Sequence, residues 1–236
     1  AYIVNQVCGS GIRSVVSGFQ SIISGNSSVV IAGGQENMSL APHAVYLREG
    51  KKLGDTDLVD TMIKDGLWDA FHGYHMGITA ENVAEKFQVT REEQDKFALN
   101  SQEKALKAQK ENKFKKEIVD LKIKSNNAEI NFLKDEHPRE GINLDVLSRL
   151  KPVFKKNGTV TAGNASGIND GAAAVTLMSE EEASKRGTKK LVSIKSWASC
   201  GVDPALMGTG PIPSVKKALD IAGWSTNEVD LFEINE

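Results

Sequence analysis

Cysteine is nearly absent: Cys8 and Cys200 are the only two in the 236 residues. They give no disulfide framework, which suits a reducing compartment. Together with His43, His72, His75 and His137 they are scattered without metal-ligand spacing, so no metal site is expected. Long apolar runs are missing as well; none approaches the roughly 20 residues a membrane helix needs. Neither sign of charge dominates. Lys and Arg total 29 against 31 Asp and Glu, a net charge of −2, which gives no reason to expect nucleic acid or an anionic membrane as a partner. Residue 1 is Ala rather than Met, a strand-like run starts almost at once, and the chain stops at Glu236 directly after another. Both ends read as cut, so the lack of a targeting peptide says nothing about an intact protein. The length can bury a substantial core, as one large domain or two smaller ones.

The run Tyr2–Val7 is rich in aromatic and β-branched residues and predicts a strand. Gly9 and Gly11 break it and permit a sharp turn. From Ile12 the period changes, and Ile12, Val15, Val16, Phe19, Ile22 and Ile23 line one helical stripe. Cys8 therefore sits at a strand-to-helix elbow near a helix N-terminus, where unpaired N–H groups favour a thiolate. The residues by themselves leave two readings open, a nucleophile or a buried cysteine acting as a small hydrophobe.

Further along, Ser28–Ala32 predicts a short strand ending at Gly33-Gly34, so that strand, helix and strand read as a right-handed unit of a parallel sheet. Asp57–Lys64 predicts a helix stopped by Gly66, Thr79 a cap for a helix to Phe87, and Thr90 with Glu93 a capping box opening a helix to about Asn112. The inner stripe of that helix is thin: Phe97, Ala98, Ser101, Ala105 and Ala108. Glu117–Lys124 and Glu129–Leu133 predict a hairpin through Ser125-Asn126-Asn127. This long, patchy stretch reads as an inserted subdomain. Afterwards Gly171–Met178 predicts a central strand, Ser179 and Glu182 cap a helix ended by Gly187, and Leu191–Val202 predicts a long strand. Pro213 stands near the start of a helix ended by Gly223, and Ser225 with Glu228 precedes a strand over Asp230–Ile234.

Several stretches carry a resemblance. Asn5-Gln6-Val7-Cys8-Gly9-Ser10-Gly11 resembles the nucleophile segment of thiolases. In family order follow Ala32-Gly33-Gly34-Gln35-Glu36-Asn37-Met38-Ser39, then His75-Met76-Gly77-Ile78-Thr79-Ala80-Glu81-Asn82, and then Thr161-Ala162-Gly163-Asn164-Ala165-Ser166-Gly167-Ile168-Asn169-Asp170-Gly171-Ala172. Gly208-Thr209-Gly210-Pro211-Ile212-Pro213 and Glu233-Ile234-Asn235-Glu236 complete the set. The resemblance runs over essentially the whole chain and is nearest to the biosynthetic acetoacetyl-CoA thiolases. It implies an α/β fold of two similar halves with a loop domain inserted in the first, only partly present here. Residues 1–187 would be the N-terminal domain, with the loop subdomain at about 38–165, and 188–236 the beginning of the C-terminal domain.

The resemblance also implies the chemistry. Two acetyl-CoA molecules would give acetoacetyl-CoA and CoA, reversibly, through an acetyl group held on Cys8, whose own N–H would donate to the acetyl-enzyme oxyanion. Asn235 matches an asparagine that holds a water in a second oxyanion site; outside the family pattern it would read as a strand-end turn residue. His75 and Met76 match a pair at the acyl and pantetheine end of a CoA pocket, Arg139 a loop-domain arginine near the nucleotide end, and Leu67, Ser166 and Met207 further pocket-lining positions. From the residues alone His75 could be a structural histidine, Met76 core filler, Arg139 an exposed loop cation and Ser166 a turn former. CoA species would be substrates and products, with no separate cofactor, and a homo-oligomer, dimer or tetramer, is implied. The cytosol is the first expectation for its compartment and the mitochondrial matrix the second. Alternatives are a degradative 3-ketoacyl-CoA thiolase, a decarboxylating ketoacyl synthase, a non-catalytic CoA-binding protein and, with no partner histidine evident for Cys8, a cysteine hydrolase.

In this family a further catalytic histidine and an acid–base cysteine lie beyond the position of Glu236; Cys200 does not match that cysteine and reads as structural. Residues 1–236 made alone are therefore expected to show no thiolysis, since lost proton-transfer groups cost orders of magnitude in rate. Cleavage of acetoacetyl-CoA by this polypeptide with added CoA, at the rate of an intact thiolase, would contradict that.

Overall fold

The computed structural model describes residues 1–125 and 128–235, which form two compact units, residues 1–76 with 168–235 and residues 77–167. In chain order the elements are α1 (Ser10–Ile23), β1 (Val29–Asn37), β2 (His43–Ala44), β3 (Val59–Asp60), β4 (Trp68–Asp69), β5 (Tyr74–His75), α2 (Met76–Phe87), α3 (Arg91–Lys110), β6 (Leu121–Ser125), β7 (Ala128–Phe132), α4 (Leu144–Ser148), β8 (Asp170–Met178), α5 (Glu180–Lys185) and α6 (Pro211–Ala222). A π-helical turn, Met62–Leu67, separates β3 from β4, and 3₁₀ turns occupy Met38–Leu40, Pro204–Thr209 and Thr226–Glu228. No helix among the described residues is long and apolar enough to cross a membrane.

The first unit is built on an antiparallel ladder between β1 and β8, running from Val29 opposite Met178 to Asn37 opposite Asp170, with α1 laid against it. Gly18 marks that crossing. A Cβ there would lie 2.9 Å from Leu177 Cδ1 and 3.0 Å from Val30 Cγ1. The predicted stripe of α1 is only partly used: Val16 is buried, while Ile12 and Ile23 are 75% and 67% exposed. Two expectations are corrected here. The parallel unit expected from Tyr2–Val7 and Ser28–Ala32 does not form among the described residues, where β1 pairs instead with β8, antiparallel, and β1 runs straight through Gly33-Gly34 instead of stopping there. Gly33 is needed for closeness rather than for a turn, because a Cβ on it would overlap the Ala173 carbonyl of β8.

The expected strands Tyr2–Val7, Leu191–Val202 and Asp230–Ile234 have no ladder among the described residues. Their apolar side chains, Ile3, Leu191, Val192 and Leu231 among them, stay exposed. Composition favours extended backbone, but a strand exists only with a partner for its N–H and C=O groups. The helix expected over Asp57–Lys64 is instead β3 followed by the π-helical turn. Asp60, whose side chain accepts from Met62 N at 2.9 Å, initiates that turn. Helix signals fared better. Ser179 Oγ accepts from Glu182 N at 3.1 Å at the start of α5, and Gly223, left-handed at φ 71°, ends α6.

The second unit takes up α2 from Gly77; the helix begins at Met76, so Thr79 is inside it and buried rather than capping it. The Thr90–Glu93 box opens α3 as expected: Glu93 Oε2 accepts from Thr90 N at 2.7 Å, and Thr90 Oγ1 from Glu93 N at 3.2 Å. The buried face of α3 differs from the apolar stripe expected. Phe97 is exposed, and the deepest residue is Asp95. Leu147 of α4 and Val160 form the apolar centre with Ala84 of α2. Gly163 fits because it has no Cβ; one would approach Leu147 Cδ2 to 2.5 Å and Leu150 Cδ1 to 2.6 Å. The hairpin is β6 with β7, shorter than expected; Asn126 and Asn127, expected in its turn, lie outside the described residues.

One contact ties the ends of the β1–β8 ladder. Asp170 accepts from Ser39 N at 3.0 Å and from the Ser39 hydroxyl, and these bonds hold its carboxyl below the usual carboxylate range. A lowered folded value means that the contact stabilises fully above the unfolded value of about 3.9 and loses this as pH falls through the folded one. Asp170→Asn is therefore expected to lower the thermal midpoint at pH 7, with the gap to the native protein closing as the pH is taken down toward 3. A gap constant across that range would count against the ionised contact.

Candidate functional site

The turn predicted from Asn5 to Gly11 is present ahead of the helix, though the strand expected before it has no ladder among the described residues, and its geometry is unusual for its residue types. Val7 has φ +47°, a left-handed conformation that a β-branched side chain rarely adopts. Short-range bonds hold it there. Asn5 Oδ1 accepts from Val7 N at 2.9 Å, Ser10 Oγ accepts from Gln6 N at 2.8 Å, and the Ser10 hydroxyl donates to the Val7 carbonyl at 2.6 Å. Backbone bonds close the turn, Gly9 N to Gln6 O at 3.0 Å and Ser10 N to Val7 O at 3.1 Å. Cys8 follows directly and is exposed with a free thiol, so the buried small-hydrophobe reading does not hold. Helix α1 starts two residues on, preceded by Gly9, which has no side chain with which to cap the first N–H groups.

The strand β1 supports this elbow, which the sequence did not reveal. The Ser14 hydroxyl lies 2.7 Å from the Gly11 carbonyl and 2.9 Å from the Gly33 carbonyl, joining α1 to β1. A Cβ on Gly34 would come within 3.6 Å of Gly11 Cα. The Gly33-Gly34 pair thus lets the strand approach the first turn of the helix that follows Cys8. The signal was there in principle: two adjacent glycines inside an otherwise β-rich run can mark close backbone approach.

Leu67, His75 and Met76 are brought together by a small hairpin. His75 pairs with Trp68 across β4 and β5, so Leu67 and Met76 fall at neighbouring register positions on one side of that pair. Leu67, His75 and Met76 are each half-buried. Partial burial pushes the His75 imidazole below its ordinary value, so it is neutral at pH 7. The hairpin is stiffened by His72, whose Nδ1 is 2.7 Å from Asp69 Oδ2 and whose ring stacks on Tyr74 with centroids 5.4 Å apart. Met207, exposed, stands in the 3₁₀ turn Pro204–Thr209, and Asn235 is exposed; both belong to the first unit.

Arg139 and Ser166 belong to the second unit. Arg139 is exposed on a loop fixed to α3, its N–H donating to Gln102 Oε1 at 2.9 Å. Ser166 is exposed two residues beyond Asn164, whose side chain is fully engaged: Oδ1 accepts from Thr161 N at 2.7 Å, and Nδ2 donates to Asp95 Oδ1 at 2.9 Å and to Thr159 O at 3.0 Å. Among the described residues no group of His, Cys, Asp and Glu is placed to hold a metal ion.

If Val7 is strained, its substitutions should rank in an unusual order. Both Val7→Ala and Val7→Gly remove the same exposed side chain, but only glycine adopts positive φ without cost. Val7→Gly is thus expected to be the more stable by about 1 kcal/mol, read from unfolding midpoints. Alanine equal or better would argue against strain at the elbow.

Comparison with known proteins places these features in context. Residues 1–181 match the thiolase N-terminal domain and residues 188–236 the thiolase C-terminal domain. An acetyl-CoA acetyltransferase of Rhizobium meliloti is 58% identical over 236 residues, covering all of this chain and 60% of that protein. A cytosolic acetyl-CoA acetyltransferase of Rattus norvegicus is 53% identical over 238 residues, again covering all of this chain and 60% of that protein. Among solved structures, the acetyl-CoA acetyltransferase of Bacillus anthracis superposes with a TM-score of 0.94 at 44% identity, covering 98% of this chain and 58% of that one. Human mitochondrial 3-ketoacyl-CoA thiolase does so with 0.93 at 42%, covering 97% and 58%. The chain thus spans about 60% of the length of the curated relatives it matches.

Proposed function

The chain belongs to the thiolase family and carries part of its α/β fold, and on that premise we propose that it works in an acetyl-CoA C-acetyltransferase. The observation that carries this is an exposed thiol on a strained, multiply hydrogen-bonded elbow at a helix start, in a chain similar throughout its length to acetyl-CoA acetyltransferases. The division proposed with it is an N-terminal domain at 1–187 with a loop subdomain at about 38–165, and a C-terminal domain beginning at 188.

In the proposed reaction the Cys8 thiolate attacks the carbonyl carbon of acetyl-CoA. The carbonyl oxygen takes up negative charge and accepts a hydrogen bond from the Cys8 N–H, and collapse expels CoA thiolate and leaves an acetyl-thioester on Cys8. A base then removes a proton from the methyl carbon of a second acetyl-CoA. That carbon attacks the acetyl-cysteine carbonyl, the Cys8–carbon bond breaks, and acetoacetyl-CoA departs with the thiolate restored. The base is assigned to the family histidine and cysteine beyond Glu236, not to this chain's residues. Asn235 holds the water of the second oxyanion site. His75, neutral, offers a hydrogen bond rather than a charge to the bound thioester. Leu67, Met76 and Met207 wall the acyl and pantetheine end, Ser166 meets the pantetheine amides and Arg139 the nucleotide end. The partners are acetyl-CoA, acetoacetyl-CoA and CoA, within a homodimer or homotetramer in the cytoplasm.

A second reading, a 3-ketoacyl-CoA thiolase of the mitochondrial matrix acting on longer acyl chains, is supported by the likeness to the human mitochondrial structure. The His75-Met76 pair favours the short-chain reading, since a methionine side chain can close an acyl pocket; a chain-length series with the full-length protein separates the two.

Cys8→Ser in the full-length protein should abolish acetyl-enzyme formation with little effect on folding, because serine is close in size but a far weaker nucleophile at neutral pH. After incubation with radiolabelled acetyl-CoA and proteolysis, label should appear on the Cys8 peptide of the native protein alone. Label persisting in the variant, or residing on Cys200, would falsify the assignment.

A further inference from the structure

The second unit contains a carboxylate that the reaction does not use. Glu81, in α2, is 3% exposed, and its oxygens face the backbone of another segment. Thr159 N lies 2.9 Å from each of Oε1 and Oε2, Val160 N lies 2.9 Å from Oε1, and the Thr159 hydroxyl lies 3.0 Å from Oε2. Both oxygens accept hydrogen bonds. Gly158 leaves the space, since a Cβ there would overlap Oε1. A buried acid of this kind is costly unless its acceptors are filled, and here backbone donors fill them.

The clamped residues begin the segment that ends at Ser166. A second buried acid extends the hold: Asp95, 3% exposed, accepts from Asn164 Nδ2 and from Arg91 Nε at 2.8 Å, while Asn164 Oδ1 takes Thr161 N at 2.7 Å. Arg91 continues to the Leu147 and Leu150 carbonyls at 2.7 and 3.0 Å. From Thr159 to Asn164 the loop is therefore fixed to α2 and α3 by side chains, with Ser166 exposed two residues further on.

We propose that Glu81 is a positioning residue for CoA substrates, holding the Thr159–Asn164 turn so that Ser166 meets the pantetheine arm; this rests on the functional reading above. Glu81 touches neither substrate nor the reacting atoms. Its loss should shift substrate handling and spare the thiol. Glu81→Gln keeps the shape but turns one acceptor into an NH2 donor facing N–H donors, so the turn must move.

The test uses the full-length protein in the acetoacetyl-CoA cleavage direction. Glu81→Gln should raise KM for CoA by about tenfold, with kcat and the iodoacetamide alkylation rate of Cys8 within about twofold of native. Ser179→Ala, which removes the α5 cap, serves as a stability control and should lower the melting temperature without moving KM. An unchanged KM in Glu81→Gln, or an equal rise in Ser179→Ala, overturns the proposal. Should Glu81→Gln not fold, amide exchange of the native protein decides: CoA must slow exchange at Thr159 and Val160, and rates indifferent to CoA refute the role. A native protein that does not cleave acetoacetyl-CoA instead overturns the functional reading itself, a separate outcome from failure of Glu81 alone.

Discussion

The backbone at Val7 is held in a left-handed conformation, and the turn that carries Cys8 is arranged around keeping it there. A β-branched residue at positive φ costs on the order of 1–3 kcal/mol, so the surrounding bonds must over-determine it. Asn5 and Ser10 supply them from within the turn. The β1 strand supplies the rest, through the Ser14 bond to the Gly33 carbonyl and the close approach of Gly34 to Gly11. The result is a thiol that stays exposed where a helix begins, on backbone with little freedom to relax. The nucleophile proposed for Cys8 needs that fixity, because misplacement of the reacting atom is penalised steeply in rate.

The second unit reaches order by a different route. Its buried apolar residues are few, with Ala84, Leu147 and Val160 at the centre. Around them lie Glu81, Asp95, Thr79 and Thr161, all buried and polar. Such a network is favourable only when its members are satisfied, since each missing bond leaves a buried group without solvent. The bonding of Glu81, Asp95, Arg91 and Asn164 meets that condition and gives the Thr159–Asn164 turn a defined shape. Hydrophobic packing alone would not fix a loop rich in small and polar residues so closely.

These two arrangements explain what could be read in the sequence. Helix ends were legible because caps are local: Thr90 with Glu93, Ser179 with Glu182, and Gly223 each act within a few residues. The β6–β7 hairpin and β8 were legible for the same kind of reason, as compact runs bounded by turn residues. Tyr2–Val7, Leu191–Val202 and Asp230–Ile234 were misread as strands, because pairing is a property of two segments and composition describes one. The antiparallel pairing of β1 with β8 was not foreseen either, its partners being more than a hundred residues apart in sequence. The elbow was found, but its strain and its support from Gly33-Gly34 were not, since both depend on a strand approaching from elsewhere.

Glu81 and Asp95 were invisible for another reason. On helices as polar as α2 and α3, a carboxylate reads as one more solvated charge, and the amphipathic pattern points to Phe97 as the inner residue. What reverses this is the demand of the facing loop. The N–H groups of Thr159 and Val160 need acceptors, and no strand among the described residues provides them. A buried acid answers that need with several bonds from one side chain, where an apolar residue would leave the donors unpaired. The burial of Glu81 is thus set by backbone hydrogen bonding, a constraint that hydropathy does not register.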